Sequence, residues 1–440
     1  MIRARFGALG PLLLAALTST GCALLGQVLG FEEQMAQARQ TARISGQAGS
    51  EGPAEGPLIV ILARLEDGER LVGVDSFVRR LPGPYVFVVA PGRYQVGVYE
   101  DRNQNGLLDP GERTRANRDG PVLEVGPGGH ATDDVILAAN ATSPPEVAAP
   151  VNVLDIVART PQEQRDFSLW ALSVQGEVCE DLSDPAFGPA AGVRGLWQPM
   201  DFLVAGEAGI HFLEPYDPDR VPVLFVHGIS GYPQEFTTLI DSLDRERFQP
   251  WFYAYPSGFA LEGVSSHLAA ILDRLDVQYA FDDVAIVAHS MGGLVARGAL
   301  FKYWDETGEP DVKLFVTLST PWGGATSAES ADRAPIELPP VFADMAPDSD
   351  YLRWLFYRDE AGRVPKPLPR GVVHHLMFGF HMSGRGRTAA DGSVTVASQA
   401  RLEAQEQAAS VRAFDRGHVE ILSAPEAVER VNRLLAETFR

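Results

Sequence analysis

The chain has 440 residues, a length that corresponds to about three domains of ordinary size. With 45% hydrophobic and 22% charged residues it can bury a substantial core, so a wholly disordered chain is excluded. Fifty-eight acidic residues against 37 basic ones give a net charge of −21, which disfavours a protein that binds the nucleic-acid backbone. Two cysteines in so long a chain exclude a disulfide-stabilised scaffold.

The first 21 residues have the pattern of an export signal. Arg3 and Arg5 precede an apolar run over residues 6–17, which is too short to span a bilayer as a mature helix. The segment that ends in Cys22 resembles a bacterial lipoprotein signal. This resemblance implies an acylated Cys22, an exported protein at the outer membrane or cell surface, membrane contact through the anchor, and an unpaired Cys179. The alternative is an ordinary secretory signal peptide in which Cys22 has no role.

The segment after this signal, residues 22–57, is predicted to carry the anchor away from the first folded domain. Apolar residues at helical spacing predict a short stalk helix over residues 24–44. The Gly- and Pro-rich composition of residues 46–57 predicts a flexible linker.

Two folded domains are predicted beyond that linker. Short apolar strands alternate with Pro-Gly turns over residues 58–139, which predicts an all-β sandwich. Residues 140–150 are predicted to be a second linker. From 151 to 440, strand-like runs alternate with helical patterns, which is typical of an α/β sheet with crossover helices. Nothing in the sequence indicates an oligomeric state.

A serine motif follows the strand-like run over residues 284–288. The letters His-Ser-Met-Gly-Gly continue into a helical pattern, so Ser290 stands in a tight turn between a strand and a helix. This arrangement resembles the nucleophile elbow of the α/β-hydrolases, G-x-S-x-G, with Ala288 in place of the first glycine. The resemblance implies an α/β-hydrolase fold, a mostly parallel sheet flanked by helices, with Ser290 as nucleophile. The amide of Met291 is then an oxyanion donor at a helix N-terminus. Taken alone, the motif also fits an ordinary helix start.

Other parts of that family pattern follow in the family's order. His227 and Gly228 come after a strand-like run and match the oxyanion loop, which implies the amide of Ile229 as the second donor. Asp391 opens Asp-Gly-Ser-Val, which resembles the segment that carries the catalytic acid in many lipases. His418 follows it and is the implied base. Asp415 is the rival acid, but it is too close in sequence to reach the imidazole from a separate loop. Packed or structural roles are expected for three further histidines, namely His227, His374 and His375.

A further resemblance concerns the turn at residues 320–324, Thr-Pro-Trp-Gly-Gly. It is similar to a turn of GPI inositol-deacylase-like and lecithin–cholesterol acyltransferase-like lipases, and the likeness covers about residues 210–440. Residues 151–209 are expected to extend the sheet. The apolar insertion at 325–371 is either a lid or acyl-chain pocket, or helices packed on the core.

The resemblance implies cleavage of carboxylic esters, acyl or lipid, at a membrane surface. Ser290, His418 and Asp391 would act through an acyl-enzyme without a cofactor. One alternative is acyl transfer to an alcohol by the same three residues. The other is a non-catalytic adhesion or scaffold protein whose hydrolase domain is vestigial.

The β-domain contains a twelve-residue motif of calcium-binding loops. Residues 101–112 fit D-x-[DN]-x-[DN]-G-x₅-E at every position. The predicted oxygen ligands are Asp101, Asn103, Asn105, the carbonyl of Leu107, Asp109 and Glu112. A strand-like run precedes the loop, so the region resembles carboxypeptidase-regulatory-like and surface-protein B-type β-sandwiches, which implies a structural Ca²⁺. The alternative is a solvated hairpin turn.

Overall fold

A computed structural model describes residues 21–66, 70–141, 174–179, 181–308, 311–325, 338–359, 361–381 and 389–440. Residues 1–20 of the predicted signal peptide and 142–150 of the predicted second linker lie outside these ranges. Within them, no helix is both long enough and apolar enough to cross a membrane.

The N-terminal part of the described chain contains one α-helix and nine strands, with a 3₁₀ turn at Asn117–Asp119 between the sixth and seventh strands. In chain order they are α1 (Gly21–Ala38), β1 (Ala42–Ser50), β2 (Leu58–Glu66), β3 (Arg70–Arg79), β4 (Gly83–Val89), β5 (Gly92–Glu100), β6 (Thr114–Arg115), β7 (Leu123–Val125), β8 (His130–Thr132) and β9 (Val135–Leu137).

These strands form two sheets that share one apolar core. One has the order β4-β1-β8, with β9 also pairing with β1, and the other has the order β3-β2-β5-β6, with β7 pairing with β5. Alternate residues of both sheets point into the core, among them Ile44, Leu62, Phe87 and Val96. The smaller N-terminal β-sandwich is therefore confirmed.

The prediction for residues 42–57 was wrong in its first half. Residues 42–50, expected at the end of the stalk helix and in the flexible linker, form strand β1 in the middle of a sheet. Glycine is needed there for close packing, since a Cβ on Gly46 would lie 1.9 Å from the carbonyl oxygen of Asp133. Composition alone does not separate a glycine that permits such an approach from one that permits flexibility.

The predicted stalk helix ends earlier than expected and is not a free stalk. Helix α1 stops at Ala38, and its Phe31 is fully buried. The Phe31 ring meets that of Trp197 edge-on at 6.5 Å between centroids. The side-chain Oε1 of Gln34 accepts a hydrogen bond from the backbone amide of Asp201 at 2.9 Å. The second half of α1 therefore packs on the C-terminal domain.

The C-terminal domain alternates strands and helices, as predicted. In chain order the elements are β10 (Val174–Val178), α2 (Pro189–Trp197), α3 (Pro199–Val204), β11 (Gly209–Phe212), β12 (Val221–Val226), a 3₁₀ turn (Pro233–Phe236), α4 (Thr237–Asp241), β13 (Phe248–Ala254), α5 (Leu261–Tyr279), β14 (Val284–His289), α6 (Met291–Thr307), β15 (Val312–Leu318), α7 (Val341–Asp344), α8 (Asp350–Phe356), β16 (Val373–Gly379), α9 (Val396–Gln399), α10 (Leu402–Gln407), β17 (Ser410–Phe414) and α11 (Pro425–Thr438).

Eight described strands form one sheet in the order β10-β11-β13-β12-β14-β15-β16-β17. All neighbours run parallel except β11 and β13. Parallel neighbours require crossover helices, and those helices cover the sheet with apolar faces. This is the α/β-hydrolase fold that the sequence predicts. Strands β10 and β11 extend the sheet at one edge, as expected for the described part of the region before residue 210, whereas residues 151–173 of that region lie outside the described ranges.

The insertion at 325–371 is in large part packed helix. The apolar side chains of α7 and α8 are buried in the main core, for example Val341, Leu352, Leu355 and Phe356. For these helices the structure favours core packing over a lid. Residues 326–337 lie outside the described ranges.

Charged side chains join the β-sandwich to helix α5. Arg80 contacts both Asp273, at 3.2 Å from its Nε, and Asp276. Arg274 contacts Asp75 at 3.0 Å. At least 89% of the side-chain surface is buried in each of the other four residues, namely Asp75, Asp273, Arg274 and Asp276. The two domains therefore meet through a buried ionic contact.

Candidate active site

Ser290 lies at the sharp turn between β14 and α6. Its backbone has φ 53° and ψ −131°, a conformation that an L-residue adopts only under strain. Its amide donates to the carbonyl of Leu318 at 2.8 Å. A Cβ on Gly292 would lie 2.3 Å from the carbonyl oxygen of Val226 and 2.4 Å from that of His227. The turn is thus held between two strand ends that only glycine can approach so closely.

Three predicted site residues from three separate segments meet in one hydrogen-bonded chain. His418 Nε2 lies 2.9 Å from Ser290 Oγ, and His418 Nδ1 lies 2.6 Å from Asp391 Oδ2. The side chains of all three are buried. The segments are far apart in sequence, since Ser290 and His418 are separated by 128 positions, and the carboxyl ends of the parallel strands bring them together.

The carboxylate of Asp391 is firmly oriented. Its Oδ1 accepts hydrogen bonds from the amides of Ser393, at 2.9 Å, and Val394, at 2.7 Å, so only Oδ2 faces the imidazole. Burial raises the pKa of this carboxyl, but the hydrogen bond from His418 and the two amide donors outweigh it and lower the pKa below its ordinary value. Asp391 is therefore ionised at neutral pH beside the ring.

Asp415 does not reach His418. Its carboxylate is exposed and lies 3.3 Å from His381 Nδ1. Two of the remaining predicted histidines pair with hydroxyls inside the sheet, His374 with Thr317 at 2.9 Å and His375 with Ser410 at 2.7 Å. The rival acid and both strand histidines thus lie outside the hydrogen-bonded chain.

The predicted loop after β12 lies directly against the serine. A Cβ on Gly228 would be 2.8 Å from Ser290 Cβ and 3.2 Å from its Oγ. His227 is buried, with Nδ1 2.8 Å from the carbonyl oxygen of Gly228, and it stacks on Tyr255 at 4.1 Å. In the described structure the amides of Ile229 and Met291 have no hydrogen-bond acceptor. Both amides are therefore available beside the hydroxyl.

Sequence reasoning missed the residues that hold His418 in place. His289 Nε2 lies 2.8 Å from the carbonyl oxygen of His418, and the amide of His418 donates to the carbonyl of Asp391 at 3.0 Å. Gly379, at the end of β16, makes room, since a Cβ there would lie 3.2 Å from that of Asp391. His289 stands inside the serine motif, which is the one signal that could have drawn attention to it.

The predicted calcium loop is a compact turn whose side chains already accept hydrogen bonds. Asp101 accepts the amides of Asn105, at 3.1 Å, and Gly106, at 2.8 Å, and Glu112 accepts the amide of Asp109 at 2.8 Å. Asn103 and Asn105 both donate to Asp109, at 2.7 and 2.8 Å. No group of three or more His, Cys, Asp or Glu side chains in the described ranges is assembled to hold a metal.

Gly106 supports the sharp bend of the calcium motif. Its φ is 73°, in the region that favours glycine. The hydroxyl of Tyr99 donates to the Gly106 carbonyl at 3.0 Å. The carbonyl of Leu107 belongs to the same turn. The backbone shape and the all-oxygen donor set fit calcium chemistry, although the carboxylates are engaged with backbone amides.

The two cysteines occupy different parts of the chain. Cys179 follows β10 and is a free, partly exposed thiol. Cys22 is the second residue of α1. Burial raises the pKa of the Cys179 thiol, so it is not an activated nucleophile.

Comparison with known proteins agrees with the fold. Residues 260–344, which include the elbow and the helices on either side of it, match a family described as "Alpha/beta hydrolase of unknown function". No curated protein sequence matches the chain.

One similar solved structure is that of the mature lipase BlEst2 of Bacillus licheniformis, which is 21% identical in sequence and has a TM-score of 0.37. The match covers 50% of this chain and 94% of that chain. A Listeria innocua gene product has 17% identity, 50% and 96% coverage, and a TM-score of 0.38. Lipase B of Aspergillus fumigatus has 17% identity, 54% and 57% coverage, and a TM-score of 0.40. Likenesses this low do not bear on activity. The order of the sheet and the family match together show that the C-terminal part of this chain has the α/β-hydrolase fold.

Proposed function

We propose that this protein is a serine hydrolase that cleaves carboxylic esters of acyl or lipid type. The observation that carries the proposal is the continuous chain Ser290–His418–Asp391, with distances of 2.9 and 2.6 Å, built on a strained turn. A buried serine in a strained conformation costs stability, and such strain is typical of sites where a side chain must be presented for chemistry.

The geometry gives each group one role. Ser290 donates its proton to Nε2 of His418 as its Oγ attacks the ester carbonyl carbon. Asp391 accepts the Nδ1 hydrogen bond and stabilises the imidazolium that forms. The amides of Met291 and Ile229 donate to the oxyanion, and the imidazolium then returns the proton to the departing alcohol. Water repeats the same sequence on the acyl-enzyme and releases the acid.

A serine variant tests this proposal. Replacing Ser290 with Ala is expected to abolish turnover of p-nitrophenyl esters across chain lengths, because no other group supplies the attacking oxygen. A fluorophosphonate probe should label the wild type and not the variant. Ser423→Ala, which removes an exposed hydroxyl from the same domain, is the matched control and should keep both activities. Unchanged turnover in Ser290→Ala would exclude Ser290 as the nucleophile, and an unlabelled, inactive wild type would favour the scaffold alternative.

The membrane location is part of the proposal and rests on the sequence pattern before Cys22. A diacylglyceryl group on its sulfur would tether the enzyme at an outer membrane or cell surface, where lipid esters are concentrated. Radiolabelled palmitate should enter the wild-type chain and not Cys22→Ser. Equal incorporation into both would contradict the anchor.

The loop at residues 101–112 is proposed to bind a structural Ca²⁺. Asp101, Asp109 and Glu112 would supply carboxylate oxygens, and the two asparagines and the Leu107 carbonyl would supply neutral ones. Burial, together with repulsion from Asp109, raises the pKa of Asp101 and Glu112, so a cation would relieve crowded negative charge. Calorimetry on the intact protein should show Ca²⁺ binding that Asp101→Asn removes and the loop-external Asp119→Asn retains. Absence of binding heat and of any thermal shift would favour the hairpin alternative.

A further inference from the structure

Behind the nucleophile, two buried polar atoms face each other without hydrogen-bond partners. They are Oε2 of Glu235, in the 3₁₀ turn after β12, and Nδ1 of His289 at the end of β14. The two atoms are 4.0 Å apart. A shift of about 1 Å brings them to hydrogen-bond distance, and each has an unmet capacity for one bond. The geometry therefore pairs these two groups.

The other nitrogen of His289 is already engaged with the site. Its Nε2 lies 2.8 Å from the carbonyl oxygen of His418, whose ring contacts Ser290. A carbonyl accepts only, so Nε2 must carry the hydrogen. Neutral His289 then presents a bare lone pair at Nδ1, and only a donor satisfies it. A carboxyl group facing that lone pair can donate only in its protonated form.

The surroundings of the pair favour protonation of the acid. Burial raises the pKa of Glu235 to about 7 and lowers that of His289 to about 3. The ionisable groups that act on the pair in the described structure are Tyr232 and Tyr255 beside Glu235, and His227, His418 and Asp391 beside His289. None of these is a lysine or arginine that would stabilise a carboxylate.

We propose that Glu235 is a positioning residue: its neutral carboxyl donates to Nδ1 of His289 and so holds the tautomer whose Nε2–H fixes the backbone of His418. This role rests on the proposed serine hydrolase. At a pH above the pKa of the Glu235 carboxyl, the pair has only the one ring proton of His289, and both the Glu235 carboxylate and the His418 carbonyl need it as a hydrogen-bond donor. If it stays on Nε2, the carboxylate faces a lone pair, and if it moves to Nδ1, the contact with the His418 carbonyl is lost. Either way the imidazole is held less well.

The pH profile of kcat separates this role from mere packing. Wild-type kcat, divided by the kcat of Glu235→Gln at the same pH, is expected to fall about three- to tenfold between pH 6 and pH 8.5, the effect of one weakened hydrogen bond. Glu235→Gln keeps a donor that does not titrate, so its kcat should match wild type at pH 6 and lack the fall. His289→Gln keeps the donor to the His418 carbonyl and should also lack it. Glu246→Gln, at an exposed site, should retain the wild-type profile.

A second measurement does not depend on turnover. The carboxyl pKa rises from 4.5 in the unfolded chain to about 7 in the fold, so the wild type loses stability relative to Glu235→Gln as pH rises through that window. The difference in Tm should therefore grow from pH 4.5 to pH 7 and then level off. Coincident pH profiles, or a flat Tm difference, would overturn the positioning role while leaving the hydrolase intact. A folded wild type with neither turnover nor probe labelling would instead refute the hydrolase itself.

Discussion

Asp391→Asn tests the proposed triad at the level of a single proton. The asparagine has one oxygen and one NH₂ group, and the site offers two amide donors on one side and the imidazole on the other. The oxygen is expected to face the amides of Ser393 and Val394, 2.9 and 2.7 Å from Oδ1 in the wild type. The NH₂ group then donates to Nδ1 of His418, which places the ring hydrogen on Nε2. The imidazole can no longer take the serine proton.

The size of the effect follows from the cost of turning the amide round. The reversed orientation would restore the active tautomer, but it points an NH₂ group at two buried donors and leaves both unsatisfied. At about 1–3 kcal/mol for each lost acceptor, this costs about 2–6 kcal/mol, a factor of about 30 to 10⁴ in rate. We expect kcat to fall by about 10³ to 10⁴, as a wrong tautomer does in other triads.

The assay is the hydrolysis of a short p-nitrophenyl ester, with the rate of fluorophosphonate labelling as a second readout. Asp415→Asn is the matched control, since that acid lies beside His381 and away from His418. It should retain activity within about threefold, as expected for an exposed site. A fall of less than tenfold in Asp391→Asn, or a larger fall in Asp415→Asn, would refute the assignment of the acid.

Two further predictions concern stability. Gly292→Ala places a methyl group 2.3 Å from the carbonyl oxygen of Val226 and is expected to destabilise the protein by about 3 kcal/mol or to prevent folding. The control Gly263→Ala lies in an open position within helix α5 and should be neutral or stabilising by up to about 1 kcal/mol. Denaturant unfolding measures both variants, and equal effects would contradict the packing of the turn around Ser290. Arg80→Ala removes the cation that contacts both buried carboxylates, Asp273 and Asp276, and should cost about 3–5 kcal/mol at pH 8. Because burial raises the pKa of these carboxyls to about 6 and about 7, both become neutral near pH 5 and the deficit should shrink there; a deficit independent of pH would refute this account.

Patterns local in sequence predicted the strands well. The strand-like run predicted at residues 284–288 is the strand Val284–His289, and the helical pattern predicted after Ser290 is the helix Met291–Thr307. Buried parallel strands are continuously apolar, and a helix on the surface of the sheet has one apolar face, so both leave a clear signal in the sequence. The same reasoning failed at residues 42–50, where small residues in a central strand resemble a linker.

The site was predictable only in part, for a physical reason. Ser290 and its neighbours form a local turn, which requires small residues and a serine between a strand and a helix. This pattern involves consecutive residues and can therefore be recognised in the sequence. Asp391 and His418 were found by their order in a family pattern, while their 2.6 Å contact depends on strands β16 and β17 ending side by side. The sequence does not decide between Asp391 and Asp415 as the partner of His418, whereas in the structure only Asp391 contacts the imidazole.

The sequence by itself determined the α/β-hydrolase class, the serine turn and the net negative charge, and it predicts the export signal and the twelve-residue calcium loop, since each of these patterns is a property of composition or of neighbouring residues. Only the tertiary structure decided that helix α1 packs on the hydrolase domain, that α7 and α8 are core and that His289 faces Glu235. These outcomes depend on burial and on contacts between distant segments, and burial also raises the pKa of the Glu235 carboxyl, which would be ionised at neutral pH if it were exposed.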